Sequence, residues 1–404
     1  MNDISHLAHA RAPATTTGRD LLVDMLRGLA LVFIVVDHIN LIARDLGDVG
    51  TARLYLLIDM QLSDAAEIFV FLSGYVFGMV HGSPGRRLGP ADLARRTLRR
   101  MIQIFGAYVL TIVVVATLYA IVAAIHPVPA AWMEISHLYL LDAPGLTLLL
   151  GMMQMMVTVF FVNILHLYIL LLGYALPVLL LWYRAPAAAV AVSVALWLVA
   201  QFIDPMEMPR WAGMRAFNPL GWQLLFCAGL FLGTRRWLDT IRNHPRPGLV
   251  ALALAIVVVA FVLRLGVSRF GEDILPRPLV DLAELVALTA KPALGPARLI
   301  NFAALTYLAW TLLPPAARLM RWQPARILAT LGSHSLEVFC IGTVMIMLGS
   351  LALHIAGGGF AAYVAVIGGV LVLYAVAGQV TAWLLAKPAR PAGAHTAPAS
   401  PGRR

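Results

Sequence analysis

Asp20-Leu21-Leu22-Val23-Asp24-Met25-Leu26-Arg27-Gly28-Leu29-Ala30-Leu31-Val32-Phe33-Ile34-Val35-Val36-Asp37-His38-Ile39 is an apolar run of membrane-crossing length with charges inside it. Ionisable side chains in a membrane segment are costly, so each is a candidate for function. On a helix of about 100° and 1.5 Å per residue, Arg27 and His38 are roughly 1100° apart, three turns plus about 20°. Asp24 falls within about 60° of the same line. One face therefore carries a carboxylate, a guanidinium and, about 16 Å further on, an imidazole. Facing lipid, such a stripe would be prohibitive, so it is expected to face a protein-lined cavity.

A second charged apolar segment follows, Ser63-Asp64-Ala65-Ala66-Glu67-Ile68-Phe69-Val70-Phe71-Leu72-Ser73-Gly74-Tyr75. Asp64 and Glu67, three residues apart, share a helix face. Ser63 is a candidate N-cap, and carboxylates in a first turn favour the helix dipole. A carboxylate beside His38 (Asp37 or Glu67) would fix its tautomer and raise its basicity, which is what a general base requires.

The whole chain has the composition these segments need. Of 404 residues 61% are hydrophobic and only 12% charged, with a mean hydropathy of +0.84. That marks an all-α, polytopic membrane helix bundle whose solvent is the lipid bilayer. A net charge of +10 would suggest nucleic acid in a soluble chain. Here the basic residues fall between apolar segments, where topology accounts for them without nucleic acid. Cys227 and Cys340 sit alone in apolar runs and read as packing residues.

Ten spans are predicted, at about 21–42, 60–80, 102–125, 162–183, 186–203, 219–234, 248–267, 299–317, 327–350 and 360–386. Residues 1–19 read as a cytoplasmic leader, 20–386 as the membrane domain and 387–404 as a disordered cytoplasmic tail. With both termini inside, one side receives the arginines of 86–100, Arg184, Arg235, Arg236, Arg242, Arg246, Arg318, Arg321 and Arg326, most of the 30 basic residues counting the termini. That asymmetry predicts that both termini are cytoplasmic. Residues 145–161 are Met-rich and follow Pro144-Gly145, so they are expected to lie at the outer interface or re-enter it.

Further candidates are polar groups at the segment ends. Arg95, Arg96, Arg99 and Arg100 form two i,i+4 pairs suited to the phosphates of a cytoplasmic donor. Asn163, His166 and Tyr168 open the fourth span and Asn218 and Gln223 the sixth, where amides and aromatics would meet a hydroxyl-rich ligand. His334 begins the ninth near the cytoplasmic side. No P-loop, dinucleotide-binding glycine pattern or metal-ligand cluster occurs, so no permanent cofactor and no metal is expected.

Arg27 followed by His38 is similar to the Arg-to-His signature of integral-membrane acyltransferases that modify sugars. More specifically, Val23–Gly28, Val36–Ile39 and Asp64–Tyr75 resemble the OpgC family, as do Asn163–Ile169, Asn218-Pro219 with Trp222–Phe226, and Leu331–Phe339, over about residues 19–385. The family pattern has aspartate and proline where this chain has Asn163 and His166. The resemblance implies transfer of a succinyl group from succinyl-CoA, an acyl-CoA co-substrate, to an osmoregulated periplasmic glucan. It makes His38 the catalytic base and places Arg27 near the donor. Two other readings use the same charges: a secondary transporter or flippase with a buried substrate or proton path, and a non-catalytic subunit in which they only pair helices.

Overall fold

The computed structural model describes residues 20–47, 61–82, 88–203, 216–269 and 290–386. The expected leader 1–19 and tail 387–404 lie outside them. The carboxylate of Asp20 accepts hydrogen bonds from the backbone N–H of Leu22 and Val23 (3.1 and 3.3 Å) and so starts α1 (Leu21–Asp45). There follow α2 (Ala65–His81), α3 (Pro90–Ile125), α4 (Ala130–Ile135), α5 (Gly145–Met153), α6 (Asn163–Arg184), α7 (Pro186–Ala200) and α8 (Pro219–Thr234). The remainder are α9 (Trp237–Asn243), α10 (Pro247–Arg269), α11 (Pro296–Leu312), α12 (Ala316–Leu319), α13 (Gln323–Ser333), α14 (Ser335–Ile355) and α15 (Phe360–Leu385). No strand occurs among the described residues.

Among the described residues six helices are long and apolar enough to cross a membrane: α1, α3, α6, α10, α14 and α15. Three more apolar helices, α2, α7 and α8, have 17, 15 and 16 residues, fewer than the roughly 20 that a ~30 Å hydrocarbon layer requires. Among the described residues a helix lies at each of the ten expected positions, and six of these helices have the full spanning length. Two boundaries differ instructively. α3 begins at Pro90, not 102, so its 36 residues extend about 54 Å and carry the arginines well beyond a bilayer core. The span expected over 327–350 is two helices. The Ser333 hydroxyl donates to the Thr330 carbonyl (2.8 Å) and lies 2.8 Å from His334 Nδ1, and such side-chain bonds compete with the helix ladder.

Close backbone contact sets the bundle. Gly74 and Gly78 of α2 pack against the carbonyls of Phe226 and Leu230, while Gly229 and Gly233 of α8 pack against those of Phe71 and Tyr75. A Cβ at any of the four would overlap an oxygen. The contacts advance in the same direction along both chains, so α2 and α8 are parallel, joined by small residues at a spacing of four. Gly28 on α1 and Gly332 on α13 touch in the same way, and Val35 and Ile39 continue the contact onto Gly342 and Gly349 of α14. α1 therefore runs parallel to α13 and α14 and sits at the centre, against α2.

The stretch between α3 and α6 is folded onto the bundle as short pieces and contains no helix of spanning length. Tyr108 donates to the Val157 carbonyl (2.9 Å), Trp132 to Ser350 (3.0 Å) and the Phe160 amide to Ser136 (3.0 Å). These anchors hold the 3₁₀ turn Val159–Phe161 against α1. Phe160 and Phe161 both have positive φ (44° and 67°), a strained backbone that this packing enforces.

Candidate active site

α1 delivers His38 to a cavity of about 240 Å³ at the Asp45 end of the bundle. Its polar lining comes from Asp37 and His38 on α1, Asp64 before α2, Asn163 at the start of α6, and Lys291 ahead of α11. Phe33, Phe161, Phe217 and Phe339 form much of the apolar wall. The His38 Nδ1 lies 2.6 Å from the carbonyl oxygen of Ile34, one turn back. A carbonyl can only accept, so Nδ1 carries the proton and, in the neutral ring, Nε2 is left with its lone pair. That is the tautomer of a general base. The group that orients the ring is thus a backbone carbonyl, not the carboxylate of Asp37 or Glu67 that sequence reasoning offered. Phe161 packs on the imidazole with centroids 4.2 Å apart.

Glu67 is fully buried and serves another purpose. Its carboxylate accepts from Arg298 on α11 through Nε (2.8 Å) and Nη2, and from the Asp64 amide (2.9 Å). Asp64 in turn caps α2 at the Ala66 amide (2.9 Å), so the N-cap is Asp64 and not Ser63. Ser63 instead meets Asn301 of α11 through its hydroxyl (2.8 Å). Asp64 also receives Arg298 (3.2 Å) and Lys291 (2.7 Å). Two carboxylates and two cations thus tie the N-termini of α2 and α11 together. Burial opposes the Lys291 charge, but Asp64 and then Glu67 outweigh it, so its pKa is raised and the ammonium is retained.

At the other end of the α1 stripe, Arg27 is buried and donates from Nη2 to the Ser335 hydroxyl (2.5 Å). Its guanidinium lies 5.8 Å from the Phe69 ring. Asp24, also buried, is beside the Gly28–Gly332 contact. Arg27 therefore sits at the break between α13 and α14, which places His334 in the same neighbourhood. Arg27 is not the partner of Glu67.

The remaining candidates divide. Arg95, Arg96 and Arg99 are exposed and Arg100 partly so, near the start of α3. Arg95 lies 3.6 Å from Asp92 and Arg100 bonds Gln103 (3.4 Å). His166 is one turn beyond Asn163, half-buried and outside the cavity lining, while Tyr168 faces the Phe226 ring (6.4 Å). Asn218 and Gln223 are buried and do not line the cavity. Asn218 caps α8 at the Leu220 amide (3.0 Å), and Gln223 donates to the carbonyls of Ser193 (2.7 Å) and Leu220 (3.0 Å).

Sequence reasoning missed Arg298, Phe161 and the placement of Lys291. Arg298 could have been found, because a cation in the first turn of an apolar helix needs a carboxylate and Glu67 was in want of a partner. No group of three or more metal-ligating side chains occurs among the described residues. A cavity joining an imidazole whose Nε2 keeps its lone pair, acidic groups and one ammonium suits proton abstraction from a hydroxyl with an anion nearby.

No curated protein and no solved structure matches the chain. A protein-family model described as OpgC protein matches residues 19–384, nearly the whole length, and the chain belongs to that family.

Proposed function

We propose that the protein is an inner-membrane O-acyltransferase that moves a succinyl group from cytoplasmic acyl-CoA to hydroxyls of a periplasmic glucan. Family membership and the apolar helices support the acyltransferase part of this reading. The observation that carries it is the bond from His38 Nδ1 to the Ile34 carbonyl, which leaves Nε2 with its lone pair in a cavity that also holds Asp37, Asp64, Asn163 and Lys291.

In this reading ten segments span the membrane, the shorter α2, α7, α8 and α11 among them, with both termini cytoplasmic. The His38 cavity then opens toward the periplasm and the α3 arginines lie in the cytoplasm. His38 Nε2 takes the acceptor hydroxyl proton as that oxygen attacks the thioester carbon. The C–S bond breaks, the imidazolium returns the proton to the departing thiolate, and the products are a sugar ester and free CoA. Arg27 and the α3 arginines hold the donor side, Asn163 meets the sugar, and Asp64, Glu67 and Arg298 keep the cavity wall in place.

Mass spectrometry of periplasmic glucans from cells with and without the gene tests this. A succinyl mass increment present with the gene and absent without it is expected. Unmodified glucan in both strains would contradict the reading, and altered glucan export without any ester would favour a transporter.

A further inference from the structure

Among the described residues lining the His38 cavity, Lys291 is the one lysine or arginine, set against the carboxylates of Asp37 and Asp64. Its backbone is fixed. The carbonyls of Lys291 and Pro292 both accept from Trp222 Nε1 (3.1 Å), and Pro292 also accepts from the Asn218 amide (2.8 Å). Gln201 bonds the Ala293 carbonyl and Trp197 the Leu294 carbonyl, each at 2.9 Å. Four successive carbonyls are thus held by α7, α8 and the residues at their ends. A lysine in so constrained a turn is presented in advance of any ligand, and no ordering of the turn is required on binding.

Its ammonium is engaged but not exhausted. Nζ lies 2.7 Å from Asp64 Oδ2 and 5.5 Å from the Phe217 ring centroid. An ammonium has three N–H donors, and Asp64 takes one. Asp64 is independently held by Arg298 (3.2 Å) and the Ala66 amide (2.9 Å), so it can share Lys291 with a second carboxylate without being stranded.

We propose that Lys291 selects the acyl group, binding the free carboxylate of a dicarboxylic monothioester such as succinyl; this rests on the acyl-transfer reading above. The distal carboxylate of a succinyl group is two methylenes from the thioester carbon that His38 serves, and both residues line the same cavity. Without Lys291 that carboxylate meets Asp37 and Asp64 with no cation left among the described lining residues, Arg298 being occupied with Asp64 and Glu67. An acetyl group carries no charge and makes no such demand, so Lys291 sets a preference between acyl groups.

The test uses the full-length protein in proteoliposomes with glucan acceptor, comparing succinyl-CoA with acetyl-CoA. In Lys291→Met the succinyl-to-acetyl ratio of kcat/KM should fall about ten- to a hundred-fold, the scale of a hydrogen bond to a charged group. Lys291→Arg should keep the ratio near that of the parent. If Lys291→Met fails to accumulate, Asp64→Asn/Lys291→Met replaces it, because it strands no carboxylate and Asn still caps α2. An unchanged ratio in either variant, with transfer still measurable, overturns the assignment while leaving acyl transfer intact. A parent protein that transfers neither group overturns both.

Discussion

Among the described residues Arg298 is the one side-chain cation bonded to Glu67; Arg298→Met removes it, and the structure sets the size of the effect. Glu67 would keep the Asp64 amide (2.9 Å) and lose both guanidinium bonds. Asp64 would fare better, because Lys291 stays with it at 2.7 Å. The variant therefore strands one carboxylate that has no exposure to solvent. Breaking a buried ion pair on one side costs about 3–5 kcal/mol, whereas replacing both partners is often close to neutral. Glu67→Gln alone leaves Arg298 with Asp64 and should cost less, about 1–3 kcal/mol. In the double variant Glu67→Gln/Arg298→Met the loss should be smaller than in Arg298→Met alone, a coupling of about 2 kcal/mol or more. The assay is unfolding of the purified protein in mixed micelles for the parent, the two single variants and the double. Additive losses would refute the pairing of Glu67 with Arg298 and with it the described join between α2 and α11.

Other consequences are equally direct. Gly229→Leu on α8 puts a side chain into the Phe71 carbonyl, so accumulation of folded protein should fall sharply, whereas Gly106→Leu on α3, with open space around it, should be tolerated; equal accumulation of the two would count against the parallel α2–α8 contact. Neutralising Arg95 with Arg96, or Arg99 with Arg100, should raise the KM for acyl-CoA several-fold with little change in thermal stability, since exposed charges contribute little to folding; unchanged kinetics would leave these arginines a topological role only. A reporter fused after Arg100 or Arg242 should read cytoplasmic and one at Glu134 periplasmic, and the opposite pattern would invert the proposed orientation.

The parts of the site legible in the sequence were those written within one helix. The Asp24–Arg27–His38 stripe follows from helical periodicity alone, and in the fold it meets the α13–α14 break at one end and a cavity at the other. The i,i+3 pair of Asp64 and Glu67 was equally visible, but not its partner, because Arg298 lies 231 residues away and no local rule joins them. Lys291 sits in a turn without periodicity, and only the bonds from Trp222, Gln201 and Trp197 place it. The glycines of α2 and α8 mark close-packing faces by their spacing, yet a small-residue stripe does not name its mate. Asn218 and Gln223 were legible as polar residues at an apolar helix end, but it was not legible that backbone groups would meet the Asn218 Oδ1 and the Gln223 side-chain N–H.

The central claim is that His38 removes a proton, and a substitution that preserves its shape but not its basicity tests it. Glutamine at position 38 can keep a hydrogen bond to the Ile34 carbonyl yet cannot accept a proton at neutral pH. The measurement is acyl transfer to glucan by purified His38→Gln protein that binds acyl-CoA normally, with His38→Ala alongside. Both variants should lose kcat by about a hundred- to ten-thousand-fold. Turnover near that of the parent in His38→Gln would contradict the mechanism and make His38 a structural residue.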